Sequence, residues 1–130
     1  CFTNPGTSEM HFVAALDRIP GMRCILGLQE NIVTGAADGY WRMADRPACT
    51  LLHCGPGMAN ALANMHNARR AWTPMINVVG DHATYHVPLD AQLQSDIETV
   101  ARNVSPSFVR TSQRTAELCR DAVDTIAAAR

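Results

Sequence analysis

Residues 48–79 read ACTLLHCGPGMANALANMHNARRAWTPMINVV, and the fold follows from them. An apolar run at 48–53 (ACTLLH) ends in a histidine. Gly55-Pro56-Gly57 follows and opens a helical pattern that lasts to about Ala71. Pro74 then introduces a second apolar run, 75–79 (MINVV). Runs this short, bounded by Gly and Pro, suit strands buried inside a sheet. Strand, helix and strand in this order make one parallel crossover unit.

The same alternation extends in both directions. Upstream, Cys1-Phe2 reads as the tail of a strand, followed by the turn Asn4-Pro5-Gly6-Thr7. Thr7 or Ser8 caps a helix from about Glu9 to Arg18, where Phe12, Leu16 and Ile19 recur at helical spacing. Pro20-Gly21 stops it. Residues 22–28 (MRCILGL) read as a buried strand, and 30–43 as a helix. Gly35, Ala36, Ala37 and Gly39 leave much of that helix small enough for close packing. Downstream, 80–104 is less regular, 107–111 is a candidate last strand, and 114–129 is an amphipathic helix. The expected fold is α/β: a flavodoxin-like open parallel sheet with helices on both faces. Ligands of such sheets sit beyond the carboxyl ends of the strands, here at loops 3–8, 28–31, 53–60 and 80–88.

The 130 residues match one domain, and 47% hydrophobic content supports a core. Net charge is -1, with 11 basic and 12 acidic residues intermixed, so no basic stripe points to nucleic acid. No apolar run approaches the roughly 18 residues of a membrane helix. The five cysteines follow no disulfide or metal spacing. Cys24, Cys49 and Cys54 lie in or beside apolar runs and read as buried thiols of a cytoplasmic protein. The chain opens on Cys1, without an initiator methionine, and reads as cut from something longer.

Four positions carry candidate chemistry. Glu30 stands where a strand hands over to a helix; the helix end favours its charged form and burial opposes it. Such a carboxylate can move a proton or accept a strong hydrogen bond, or simply complement the helix dipole. Gly55-Pro56-Gly57 lets a ligand approach backbone N–H groups, or is only a tight turn. Asn60 replaces the last glycine of a dinucleotide fingerprint, which weakens that reading. His53 faces the same crevice, as a catalytic or a structural histidine. His82 and His86, four apart after Asp81, would suit a metal only on a helix, and Gly80 and Pro88 favour a loop. No metal site is therefore assigned. His11 and His66 fall within helices, and Arg69-Arg70 closes a helix with favourable cations.

Five strings in order are more specific than any one: N-P-G-T-S-E at 4–9, L-Q-E-N at 28–31, G-A-A-D-G-Y at 35–40, G-P-G-M-A-N at 55–60 and T-P-M-I-N-V-V-G-D at 73–81. Together they resemble the amino-terminal domain of thiamine diphosphate enzymes of the acetolactate synthase and benzoylformate decarboxylase group. The resemblance implies that residues 1–130 are the pyrimidine-binding domain of a longer multidomain enzyme, lacking the first helix and part of the first strand. It implies that Glu30 hydrogen-bonds the aminopyrimidine ring and so activates the cofactor for attack on a 2-oxo acid. Pro5, Gly6, Gly55, Gly57 and Asn60 would line the ring. His53 matches the catalytic histidine of the decarboxylase, while Gly-Pro-Gly is more similar to the synthases. Thr7 stands where a hydroxyl meets the substrate carboxylate, and His82 is a further substrate-side candidate.

The resemblance also implies Mg2+, held with the diphosphate by a Gly-Asp-Gly motif in another domain; here Gly80-Asp81 is followed by His82. Flavin binding is allowed by the group but not indicated. Active sites built between subunits imply a homodimer or homotetramer, with neither nucleic acid nor membrane as partner. The synthase-like reading is the main one. A benzoylformate decarboxylase-like lyase, a non-catalytic domain that has kept the fold, a small subunit of a split decarboxylase and a nicotinamide-binding domain are its rivals.

Overall fold

The computed structural model describes residues 1–130. Four strands form one sheet: β1 (Phe2–Asn4), β2 (Ile25–Leu26), β3 (Ala48–Leu52) and β4 (Met75–Val79). Their order is β2-β1-β3-β4, and every pairing is parallel. The helices are α1 (Met10–Arg18), α2 (Glu30–Ala44), α3 (Cys54–Arg70), α4 (Ile97–Arg102) and α5 (Thr115–Ala128), with short 3-10 turns at Thr7–Glu9 and Val87–Leu89. The chain steps outward from β1 to β2, then crosses back to β3 on the other side of β1. The direction of winding therefore reverses between β1 and β3, the place where open α/β sheets form a crevice.

Strand alternation divides the core. Leu52 packs with Val33 of α2 and with Met58, Ala61 and Met65 of α3, and Phe2, Met75 and Val79 join from the same face. Thr3 and Leu51, one residue out of step, are buried on the opposite face. Ile97, Val100 and Ala101 of α4 and the following Val104 cover the far side of that cluster.

The small residues of α2 do what their size suggests. Gly35 has no room for a Cβ, which would lie 2.9 Å from Asn64 Nδ2. Asn64 in turn donates to the Asn31 carbonyl and side chain, at 2.6 Å each. Thr34 Oγ1 donates to the Glu30 carbonyl at 3.0 Å, and Ala37 and Ala61 are fully enclosed. These contacts lock the first turns of α2 against the middle of α3. The Gln29 side chain caps α2 by accepting the Asn31 N–H at 2.9 Å. Asp45 ends it at φ 51, the left-handed closure common at helix ends.

Three expectations are corrected. Only Ile25 and Leu26 of 22–28 are strand, and both are exposed, because β2 is an edge strand paired with β1 alone. Cys24 is exposed and Cys49 half-buried, so of the three thiols only Cys54 is sealed. Residues 107–111 form no strand. Pro106 removes one donor, and Ser105 Oγ donates to the Phe108 carbonyl, so groups that a ladder on β4 would need are used locally.

Leu52 is completely buried and Leu118 of α5 is 55% exposed. In the full-length protein, Leu52→Ala should cost about 2–5 kcal/mol in urea unfolding, against less than about 0.5 kcal/mol for Leu118→Ala. Equal losses would mean that the core lies elsewhere.

Candidate functional site: two carboxylates beside the start of α3

All four loops named from the sequence lie at the carboxyl edge of the sheet, because the four strands are parallel. Two glutamates there are almost wholly removed from water: Glu30 is 6% exposed and Glu9 is 2% exposed. A buried carboxylate is stable only when hydrogen-bonded. Each has its own set of partners.

Glu30 is the first residue of α2. Its Oε2 accepts from Asn60 Nδ2 at 3.0 Å. Its Oε1 has no hydrogen bond within the chain and remains open to solvent. Gly57 makes the space on that side: a Cβ there would stand 2.9 Å from Oε1. One carboxylate oxygen is thus fixed by the chain, and the other stands beside a bare backbone, ready for an external donor.

Glu9 does not stand out in the sequence. It closes the 3-10 turn after β1, and its Oε2 accepts the Gly6 N–H at 2.7 Å. The same oxygen lies 2.8 Å from His53 Nδ1. Its Oε1 is approached by the Cys54 thiol at 3.9 Å. Gly80, at the end of β4, must lack a side chain because a Cβ would run into this carboxylate. The local signal is faint. A glutamate three residues after Gly6 has capping-box spacing, but its main partner is 44 residues away.

His53 follows β3 directly and stands at the N-cap position of α3, with no capping bond from its side chain. Gly6 lies against the face of its ring, where a Cβ would clash. Nε2 has no partner in the chain and is open to solvent. Cys54 adopts φ 49, a left-handed conformation unusual for a residue with a side chain. Its thiol donates to Ser8 Oγ at 3.2 Å. Burial pushes this thiol's pKa up; the Ser8 hydrogen bond opposes that, and the Glu9 and Asp81 carboxylates add to it. Glu9, His53 and Cys54 place three potential metal ligands within 4.8 Å of one another. However, 2.8 Å between Nδ1 and Oε2 is a hydrogen-bond length. Two ligands on a tetrahedral zinc stand about 3.3 Å apart.

The remaining candidates are scattered. Thr7 is exposed at the rim and Pro5 half-buried beside it. Asn60 is at the site, on Glu30. Gly55 faces Ser95, whose side chain fills the place of a Cβ, so its smallness is used in packing the chain on itself. His82 lies in a loop, not a helix, with its Nδ1 enclosed and unpaired, 3.7 Å from Asp81 Oδ1. Its ring meets His86 edge-on at 5.3 Å.

The structure is thus a parallel sheet with a buried glutamate at its switch point, one of whose carboxylate oxygens has no partner within the chain. The chain belongs to the family of thiamine pyrophosphate enzymes, N-terminal TPP binding domain, which it matches over residues 1–102. It is 62% identical over all its 130 residues to the "Putative acetolactate synthase large subunit IlvX" of Mycobacterium tuberculosis, and spans 25% of that protein. It is 34% identical over 92 residues, 71% of its length, to benzoylformate decarboxylase of Pseudomonas aeruginosa, and spans 17% of it. A Mycobacterium smegmatis structure described as "a putative thiamin diphosphate-dependent enzyme" superposes with a TM-score of 0.85 at 27% identity, covering 97% of this chain and 24% of that one. The chain therefore spans about a quarter or less of these proteins.

The donor set fits the aminopyrimidine of that cofactor: Glu30 Oε1 is an acceptor with no partner in the chain, and any side chain at Gly57 would press on it. Gly57→Ala should keep the fold by circular dichroism and weaken thiamine diphosphate binding to the full-length protein about ten- to a hundredfold, the worth of one charge-assisted hydrogen bond. Gly39, where a Cβ would meet nothing within 4 Å, is the control: Gly39→Ala should leave affinity unchanged. Calorimetric titration of both variants decides.

Proposed function

We propose that Glu30 activates the aminopyrimidine of thiamine diphosphate in an enzyme that decarboxylates or carboligates a 2-oxo acid, in the manner of an acetolactate synthase. The observation that carries this is the Glu30 carboxylate, buried yet with Oε1 free beside Gly57. Asn60 holds Oε2 and so aims the other oxygen. Oε1 accepts a ring N–H, and the low dielectric around it strengthens that bond. Thiamine diphosphate, when bound, supplies a thiazolium that stores the electron pair released by decarboxylation. A carboxylate turned toward the crevice speaks against a non-catalytic relic of the fold.

His53 supports the second reading, a benzoylformate decarboxylase-like lyase. Its Nε2 is open to the crevice and its Nδ1 is held by Glu9, the arrangement of a proton carrier. Thr7, at the exposed rim, is proposed to meet the substrate carboxylate. His82 is enclosed beside the same loop region and is less suited to substrate contact.

Residues 1–130 are read as one pyrimidine-binding domain of a longer enzyme, since the relatives are about four or more times its length. Mg2+ and the diphosphate are assigned to a domain outside this chain, and FAD finds no specific support. A homodimer or homotetramer fits the exposed Leu28 and Ile32, which flank Glu30 and are 84% and 59% accessible. Such apolar residues beside a site suit coverage by a partner subunit. No helix is long and apolar enough to cross a membrane. A cytoplasmic location fits five unpaired cysteines.

In the full-length enzyme, Glu30→Gln should slow hydrogen exchange at the cofactor's reactive carbon by about 10²–10⁴, the range for loss of a proton-transfer group. Quenched-flow exchange followed by NMR measures it directly. A wild-type exchange rate would remove Glu30 from activation.

A further inference from the structure

The hydrogen bond between Glu9 and His53 is unexplained by a role for Glu30, because it belongs to a separate set of contacts. Its components come from four places in the chain. Glu9 and Gly6 come from the turn after β1, His53 from the end of β3, Cys54 from the first residue of α3, and Gly80 from the end of β4. Gly6 and Glu9 meet the imidazole, while Cys54 and Gly80 meet the Glu9 carboxylate behind it. Gly6 lies against the ring face, and its N–H donates to the carboxylate oxygen that also meets Nδ1. Gly80 leaves room for the other oxygen.

We propose that Glu9 is a positioning residue, which fixes His53 with the proton on Nδ1 and the lone pair of Nε2 facing the crevice. As a carboxylate Glu9 has no proton to give, so its Oε2 accepts both the Gly6 N–H and the contact to Nδ1, which is then the donor. A neutral imidazole carries one ring proton, so Nε2 is left as the acceptor. Nε2 is the ring nitrogen with no partner in the chain. The ring is held both on its face and at its edge, so neither a flip nor a tautomer change occurs without breaking the Glu9 contact. Glu9 reaches no open space itself: it is 2% exposed and acts only through His53. The catalytic consequence rests on the reading of His53 as a proton carrier; the tautomer does not.

The test has two arms, both on the full-length protein. In the first, the protein without cofactor is labelled with 15N-histidine, and His53 is assigned by the loss of its signals in His53→Gln. Long-range 1H–15N correlation should show the Nδ1-protonated tautomer in the wild type. Glu9→Gln can place its amide oxygen at the Oε2 position, so it should keep that tautomer. Glu9→Ala should lose it, with the two ring forms exchanging. An Nε2-protonated wild type, or an unchanged ring in Glu9→Ala, would overturn the proposal.

The second arm measures turnover with pyruvate and with benzoylformate. Glu9→Ala should lower kcat about ten- to a hundredfold with KM within twofold, and Glu9→Gln should recover most of it. The double variant Glu9→Ala/His53→Ala should be no slower than His53→Ala alone, as expected when one residue works only through the other. Additive losses would make Glu9 a structural residue and end the positioning role. Wild-type turnover in His53→Ala would instead sink the proton-carrier reading, while the tautomer arm still decides the role of Glu9.

Discussion

A carboxylate taken out of water must be met by hydrogen bonds, and this chain meets that requirement twice at one edge of its sheet. Glu9 and Glu30 are both nearly sealed. Most of the unusual residues at that edge follow from them. Gly57 gives way to Glu30, Asn60 binds it, Gly6 donates to Glu9, and Gly80 makes space for Glu9. The glycines are therefore placed by acid side chains as much as by turns. A side chain at Gly57 or Gly80 would strike a carboxylate first, and one at Gly6 would strike the His53 ring.

The first turn of α3 separates the two acids. β3 ends at Leu52 and α3 starts at Cys54, with His53 alone between them. So abrupt a change of direction requires one residue in the left-handed region, and Cys54 takes it at φ 49. For a residue with a Cβ this costs about 1–2 kcal/mol. A fully buried thiol, bonded to Ser8 and close to Glu9, offsets that cost. The sharp junction keeps the His53 ring and the start of α3 on the same crevice. A longer loop would carry the ring away from Gly6 and Glu9.

The sheet is largely legible in the sequence because its central strands are short apolar runs closed by Gly or Pro. β4 matches its expected bounds, and β3 and the main helices agree within about two residues at each end. The failures share a cause. At 22–28 and 107–111 the apolar content suggests strands, but pairing depends on what lies alongside. β2 has one neighbour, and the second segment satisfies itself locally. Gly55 has the local setting of a ligand approach, yet it accommodates Ser95, forty residues on in the chain, which no local pattern reveals. Glu9 is hidden for the same reason. As a string it is a glutamate at a helix start, and only the crossover from β1 to β3 brings His53 beside it.

The two acids also divide their work by how completely the chain satisfies them. Glu9 Oε2 takes two donors from within the chain, and Oε1 faces a thiol and Gly80. Nothing of it is left for a ligand, so any influence it has must pass through His53. Glu30 has one oxygen bound by Asn60 and one free. That imbalance, more than burial alone, distinguishes Glu30, with one oxygen left without a partner in the chain, from Glu9, whose oxygens are both met from within it. Two glutamates at helix starts, alike by residue type, are distinguished only by which of their lone pairs the fold has already filled.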